Sequence, residues 1–215
     1  GEQTGSALCQ LWGMTELAAG TFSRPGMDAE TATRSAGPAA PGNEVRVVSS
    51  ETGEPLSTDE EGELQVRGAS VFPGYLNNPD ANAEAFTSEG WFRTGDLATI
   101  DGQGNLTITG RIKDIINRGG VKYNPSDIEE IIFTHPKVAL TAIVPMKDAK
   151  LGERACCFVQ LVPGETTDLE EITAFLTEQN ISKNKWPERL EVIEDMPLTP
   201  TRKVIKGKLA ALLED

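Results

Sequence analysis

Residues 108–132 read ITGRIKDIINRGGVKYNPSDIEEII, and the pattern of the chain changes within them. A run typical of a β-strand ends near Arg111, and apolar residues then recur at the spacing of a buried helix face. Charged side chains and the pair Gly119-Gly120 fill the junction between the two. This composition predicts a boundary between two domains near Lys113, at a point that can change its backbone dihedral angles.

The residues before this boundary have the pattern of short β-strands. Apolar and polar residues alternate over Val45–Val48, Glu63–Val66 and Leu106–Thr109, as in half-buried strands. The turn-forming clusters ETGEP and DGQGN separate them, and the second is expected to close a hairpin. The first half of the chain is therefore predicted to be a β-rich, barrel-like subdomain.

The residues after the boundary combine helix and strand patterns, which predicts a small α+β domain and a mixed α/β fold for the whole chain. Thr167 and Glu170 have the spacing of a capping box at the start of one helix. A last helix is expected to bury four apolar side chains: Ile205, Leu209, Leu212 and Leu213.

Composition excludes several classes of function. Of the 215 residues, 38% are hydrophobic and 25% are charged, as in globular proteins. The formal net charge of −13 argues against binding to nucleic acid or to anionic membranes. No apolar run approaches the ~20 residues needed to span a bilayer. Cys156 and Cys157 are neighbours in a strand-like run, so we expect buried thiols on opposite faces, in a cytoplasmic protein.

The stretch LWGMTELAAG, Leu11–Gly20, is the first that can carry chemistry. Trp12 could stack on a base, Thr15 could bind a phosphate oxygen, and Glu16 could hold Mg²⁺, which prefers carboxylate and phosphate oxygens. The small residues that follow, up to Gly20, could border an acyl chain. The alternative is a loop without a binding role, in which the Trp is buried and the Thr caps the backbone.

A second candidate pairs Asp96 with Arg111 across the predicted hairpin. A carboxylate at 96 can accept hydrogen bonds from both hydroxyls of a ribose, as acidic residues do in dinucleotide folds. Arg111 offers a bidentate fork to phosphate or ribose oxygens. An ordinary Gly-Asp turn next to a charged interdomain linker is the simpler alternative.

Three further candidates lie in the second half. Lys113 lies where a hinge is expected, and Gly120 would let the backbone approach a ligand closely. Lys203, in the segment PLTPTRKVIKGKL, follows a stiff loop and could reach a developing negative charge. A solvated basic helix end is the alternative for Lys203.

Taken in order along the chain, these segments resemble those of the adenylate-forming enzymes, which include acyl- and aryl-CoA synthetases. The motifs that carry the resemblance are WGMTE, GELQVRG with PGY, FRTGDL, GRIKDIINRGGVKYNPSDIEE and PTRKVIK. The resemblance implies two half-reactions. A carboxylic acid first reacts with Mg·ATP to give an acyl-adenylate and pyrophosphate, and coenzyme A then displaces AMP.

The resemblance also implies residue roles in the first half-reaction. Trp12 would pack on adenine, Asp96 would bind the ribose hydroxyls, and Arg111 would add a ribose or phosphate contact. Thr15 would contact phosphate, and Glu16 would help to hold Mg²⁺.

For the C-terminal domain the resemblance implies a change of role between the two steps. This domain, 113–215, would be a mobile lid that rotates about Lys113 relative to the end of the N-terminal domain, 1–112. One orientation would bring Lys203 to the α-phosphate and the carboxylate. The other would bring Gly120 to line the path of the thiol.

The sequence departs from the family pattern in several places, one of which is the hinge, where Lys113 stands instead of the commoner Asp. The phosphate loop is absent, which predicts a fragment that lacks most of the N-terminal domain and is inactive by itself. Arg202 stands where the last motif usually has Gly, which puts the geometry of that loop in doubt. Two other functions stay open: an aryl-AMP ligase that loads a carrier protein, and a nucleotide- or CoA-binding module without catalysis.

Overall fold

The computed structural model describes residues 9–213. The chain divides into two units, of which the first ends at Ile112 and the second begins at Lys113. A short 3₁₀ helix, Ile112–Asp114, carries the backbone from one to the other. The two units are called the N-terminal unit and the C-terminal unit below.

In the described part of the chain, the N-terminal unit consists of short strands and two helices: β1 (Leu11–Trp12), β2 (Thr21–Phe22), α1 (Ala29–Arg34), β3 (Asn43–Val48), β4 (Gly62–Gly68), α2 (Pro79–Ala85), β5 (Phe92–Ile100) and β6 (Leu106–Arg111). Strands β3 to β6 pair in chain order as an antiparallel sheet. The predicted β-rich fold is confirmed. The sheet is nevertheless open rather than barrel-like, because β3 and β6 stand at its two edges and closure requires the edge strands to pair.

The turn between β5 and β6 forms where the DGQGN cluster predicted it. Asp101 Oδ1 accepts hydrogen bonds from the backbone N–H groups of Gln103 and Asn105, each over 2.8 Å. Gly104 has a φ of 83°, a conformation that glycine adopts without a steric penalty. The hairpin is therefore specified by local side-chain chemistry, and it fixes which residues of β5 and β6 face each other.

Both faces of β4 are covered. Leu64 and Val66 are fully buried in the core of the N-terminal unit. On the other face Glu63 and Gln65 are also buried, and Arg46 Nε donates to Gln65 Oε1 over 2.9 Å. A buried polar face is stable only when its groups are hydrogen-bonded. The hydrogen bond from Arg46 to Gln65 therefore allows both faces of β4 to be buried.

The C-terminal unit is built around one long strand. Its elements are β7 (Ile116–Arg118), β8 (Val121–Tyr123), α3 (Ser126–Phe133), β9 (Val138–Asp148), β10 (Gly152–Leu161), α4 (Leu169–Glu178), β11 (Arg189–Val192) and α5 (Lys206–Ala211). Strand β10 pairs antiparallel with β9 along its length and parallel with β11. It also pairs with β7 at Gly152, and β7 forms a hairpin with β8. The predicted mixed α/β class is confirmed.

Helices pack on both faces of this sheet. One core contains side chains from α3 and α4, and the other contains Leu209 from α5. Cys157 lies in the first core and Cys156 in the second, and both are fully buried as predicted. Burial raises the pKa of each thiol to about 12, so neither is a reactive thiolate at neutral pH.

Two details of the helices differ from the predictions. Asp168, not Thr167, caps α4, since its side chain accepts a hydrogen bond from Glu171 N. The last helix ends at Ala211, and Leu212, predicted to be buried, is 57% exposed. The helical spacing does not continue past the end of α5, so Leu212 leaves the buried stripe.

The loop from Pro197 to Ile205 is a closed structure that precedes α5. Ile205 N donates to Pro197 O over 2.8 Å, and Thr199 N donates to Lys203 O over 2.8 Å. Arg202 has a φ of 64°, in the left-handed region that favours glycine. The loop thus adopts the backbone conformation that glycine at this position would favour, although an arginine occupies it.

We expect Arg202→Gly to stabilise the C-terminal unit by about 1 kcal/mol, because glycine removes the steric cost of a left-handed backbone. The measurement is the free energy of unfolding in denaturant. Arg202→Ala is the control: it removes the same side chain but keeps a Cβ, so it should bring no gain. Equal stabilities of the Gly and Ala variants would contradict the prediction.

Candidate functional site

Trp12, Asp96 and Arg111 meet in the N-terminal unit. Trp12 Nε1 donates a hydrogen bond to Asp96 Oδ2 over 3.0 Å, and Arg111 Nε lies 2.8 Å from Asp96 Oδ1. The Asp96 side chain is 5% exposed, and that of Arg111 is 48% exposed. Because each carboxylate oxygen has two lone pairs, Asp96 can still accept hydrogen bonds from a ligand that reaches it.

The strands place these groups. In the antiparallel pairing of β5 with β6, Asp96 stands directly opposite Arg111. Asp96 N donates to Thr94 Oγ1 over 3.1 Å, and the Thr94 hydroxyl donates to Leu64 O over 2.8 Å. Gly95, between them, has a φ of 71°. The Thr94 hydroxyl therefore ties the backbone at Asp96 to β4. This contact fixes the position from which the Asp96 side chain extends.

Gly20 makes room for the Trp12 ring, and Gly13 lets the turn after β1 close against Ala18. A Cβ on Gly20 would lie 2.2 Å from Trp12 Cζ3, and a Cβ on Gly13 would lie 1.8 Å from Ala18 O. Gly20 N also donates to Trp12 O over 2.9 Å. Sequence reasoning missed this role of Gly20, and the only signal for it was the spacing of glycines in LWGMTELAAG.

Thr15 and Glu16 lie in the turn between β1 and β2. Thr15 is exposed, and Glu16 Oε1 accepts a hydrogen bond from the Tyr75 hydroxyl over 3.1 Å. Desolvation raises the pKa of Tyr75, and the hydrogen bond to Glu16 raises it further. Tyr75 belongs to the PGY motif and Glu16 to the WGMTE motif, so this contact joins two of the motifs that carry the family resemblance.

No cluster of three or more His, Cys, Asp or Glu residues that could hold a metal occurs between residues 9 and 213. Glu16 is thus a single carboxylate. Mg²⁺ is commonly held by one or two carboxylates together with phosphate oxygens and water. Glu16 fits such a site only if a ligand supplies the other oxygens.

Lys113 and Gly120 belong to the C-terminal unit. Lys113 is exposed and lies in the 3₁₀ helix that crosses the unit boundary. Gly120 lies in the exposed turn between β7 and β8 with a φ of 90°, and its N–H donates to Asn117 Oδ1 over 3.2 Å. A Cβ on Gly120 would meet nothing within 4 Å, so its glycine is required by the backbone conformation and not by crowding.

Lys203 lies in the Pro197–Ile205 loop with its backbone held at both ends. Its N–H donates to Thr199 Oγ1 over 3.0 Å, and its carbonyl accepts from Thr199 N. The side chain is exposed and makes no ion pair within the described residues. Lys203 therefore combines a fixed backbone with an ammonium group that is available to a ligand.

Two family models match the chain. The model described as AMP-binding enzyme matches residues 2–76, and the model described as AMP-binding enzyme C-terminal domain matches residues 127–203. Among the helices of residues 9–213, none is long and apolar enough to cross a membrane.

Curated relatives cover nearly the whole chain. It is 37% identical to the medium-chain fatty-acid–CoA ligase of Escherichia coli over 95% of its length and 36% of the relative's. It is 39% identical to enterobactin synthase component E of Escherichia coli over 96% of its length and 38% of the relative's. The chain thus spans little more than a third of the length of these relatives.

Solved structures agree with these matches. MatB from Rhodopseudomonas palustris with ATP bound aligns with a TM-score of 0.90 at 33% identity, over 99% of this chain and 42% of that one. The o-succinylbenzoate coenzyme A synthetase of Bacillus subtilis in complex with AMP aligns with a TM-score of 0.83 at 27% identity, over 97% and 42% of the two chains. Two family models, close relatives and a shared fold together show that the chain belongs to the adenylate-forming superfamily of AMP-binding enzymes.

Proposed function

We propose that the chain is part of an AMP-forming acid–thiol ligase, which activates a carboxylic acid as an acyl-adenylate and transfers the acyl group to coenzyme A. The observation that carries the proposal is the Trp12–Asp96–Arg111 cluster, in a chain that belongs to a family of ATP-using ligases. Because the chain spans 36% of the length of a curated CoA ligase, the activity of the whole protein is a proposal.

The Asp96 cluster suits a nucleoside. The Asp96 carboxylate has spare lone pairs on both oxygens, which can accept from two neighbouring ribose hydroxyls. Trp12 is held by its own hydrogen bond to Asp96, so its ring has a set orientation for packing on adenine. The half-exposed Arg111 guanidinium can turn its remaining N–H groups to a ribose or phosphate oxygen.

Thr15 and Glu16 are proposed to contact the phosphates. The exposed Thr15 hydroxyl can donate to a phosphate oxygen. Glu16 would hold Mg²⁺ together with the phosphate oxygens of ATP, an arrangement that a single carboxylate fits. The ion would neutralise phosphate charge, and Tyr75, which donates to Glu16, would keep the carboxylate in place.

Lys203 is proposed to act in the first half-reaction. A carboxylate oxygen of the acid attacks the α-phosphorus of ATP, a P–O bond forms, and the bond to pyrophosphate breaks. Two negative groups must approach each other, so a positioned cation lowers the barrier. The ammonium of Lys203, which forms no ion pair within residues 9–213, stands on a fixed loop and suits this role.

Gly120 and Lys113 are proposed to act in the second half-reaction. The thiol of coenzyme A loses its proton to solvent and its sulfur attacks the acyl carbon, a C–S bond forms, and the bond to AMP breaks. The exposed, side-chain-free turn at Gly120 would line the path of the thiol. Lys113, the first residue of the C-terminal unit, is the proposed hinge for the change between the two steps.

A carrier protein is the alternative acceptor, since enterobactin synthase component E is as similar to the chain as the CoA ligase is. The whole protein should be given its acid, ATP and either coenzyme A or a phosphopantetheinylated carrier protein. We expect thioester formation with coenzyme A. Thioester formation only on the carrier would replace the proposed acceptor, and neither product would favour a binding module without catalysis.

We expect Trp12→Phe to raise the KM for ATP about three- to tenfold with little change in kcat, because it keeps an aromatic ring but removes the N–H donor to Asp96. Trp186→Phe is the matched control, since Trp186 Nε1 donates to a backbone carbonyl, Ile181 O, over 2.9 Å. Equal ATP kinetics of the two variants and the unaltered protein would contradict the role of the Trp12 hydrogen bond.

We expect Lys203→Ala to lower the rate of ATP–pyrophosphate exchange roughly 10²-fold or more, the effect of losing one positioned charge contact. Thioester formation from preformed acyl-adenylate should be largely kept. Lys208→Ala, at an exposed lysine of α5, is the control and should leave both steps unchanged. Equal losses in both steps for Lys203→Ala would refute the assignment.

A further inference from the structure

A cluster of three charged residues lies at the start of α5. Lys206 Nζ is 2.7 Å from Glu129 Oε1 of α3 and 3.9 Å from Asp114 Oδ2. The side chains of Lys206, Glu129 and Asp114 are only 21%, 17% and 21% exposed. Partly buried ion pairs of this kind hold a geometry more firmly than exposed ones, because water and salt screen them less.

The position of Lys206 is not explained by the helix it begins. Lys206 is the first residue of α5. The N-terminus of a helix carries a partial positive charge, so a cation there is unfavourable. The pair with Glu129 offsets this cost, which indicates that Lys206 is at this position for the contact across to α3.

Glu129 is itself fixed. Its Oε1 also accepts a hydrogen bond from Ile143 N of β9 over 2.6 Å. One carboxylate oxygen therefore joins α3, β9 and the start of α5. The other carboxylate of the cluster, Asp114, follows Lys113 directly in the chain.

The cluster controls one end of the loop that carries Lys203. Only Val204 and Ile205 separate Lys203 from Lys206. Val204 forms an isolated β-bridge with Leu198, and Ile205 N donates to Pro197 O. The loop is thus closed on itself, and the ion pair of Lys206 holds its C-terminal end, together with the packing of Leu198 and Val204 against the core that contains Leu209.

We propose that Lys206, through its ion pair with Glu129, is a positioning residue that places Lys203 for the adenylation half-reaction. The proposal rests on the proposed function, in which Lys203 meets the α-phosphate and the carboxylate. Lys206 touches neither; it acts by holding the loop. Misplacing a catalytic group by about 1 Å can cost on the order of 10²-fold in rate.

The test uses the whole protein, with two readouts: ATP–pyrophosphate exchange and thioester formation from preformed acyl-adenylate. We expect Lys206→Met to lower exchange about tenfold or more and to leave thioester formation nearly unchanged. Lys206→Arg should restore most of the exchange. A merely structural role in the C-terminal unit would lower both readouts together, and that result would overturn the proposal.

A double-mutant cycle shows whether Lys206 acts through Lys203. In a Lys203→Ala background, Lys206→Met should cause no further loss of exchange, because no ammonium remains to be placed. A further loss equal to that of the single variant would overturn the proposal. Absence of exchange in the unaltered protein would instead overturn the proposed function on which this inference rests.

Glu129→Gln tests the same contact without depending on the folding of the Lys206 variants. Its side-chain oxygen can still accept from Ile143 N, but the charge that holds Lys206 is lost. We expect the same selective loss of exchange as for Lys206→Met. Unchanged exchange in a folded Glu129→Gln protein would contradict the role of the ion pair.

Discussion

A buried carboxylate needs hydrogen-bond donors, and in the N-terminal unit Asp96 has one neutral donor and one charged donor. The neutral Trp12 N–H and the charged Arg111 guanidinium each take one oxygen. Without them the nearly buried charge would lose its hydration with no compensation. These contacts join the short strand β1 to the β5–β6 edge of the sheet, so the arrangement that suits a nucleoside also contributes to holding the unit together.

The C-terminal unit meets a different requirement, because its candidate catalytic cation has to be exposed and yet well placed. The fixed backbone of the Lys203 loop and the cluster of Lys206, Glu129 and Asp114 together meet it. The loop includes one strained residue, because Arg202 has a left-handed backbone conformation that glycine would adopt with less steric cost.

Much of this could be predicted from the sequence, because local signals specify it. Alternation gave three of the four strands of the N-terminal sheet, β3, β4 and β6, the DGQGN cluster gave the β5–β6 hairpin, and adjacent positions in one strand gave the burial of Cys156 and Cys157. The motifs also identified the family correctly. The roles of all eight candidate site residues stay predictions: Trp12, Thr15, Glu16, Asp96, Arg111, Lys113, Gly120 and Lys203.

What the sequence could not give depends on contacts between distant segments. The space that Gly20 leaves for Trp12, the hydrogen bond from Tyr75 to Glu16, and the pairing of Lys206 with Glu129 join residues with no common local pattern. The openness of the sheet and the exposure of Leu212 were missed for a similar reason, because alternation and helical spacing do not say where pairing or a helix stops.

The proposed ligase function depends most on one assay, ATP–pyrophosphate exchange with a panel of aliphatic, alicyclic and aromatic carboxylic acids. The whole protein and the 215-residue chain alone should both be assayed. We expect exchange that depends on one class of acid. Absence of exchange by the folded whole protein with every acid would contradict the ligase function.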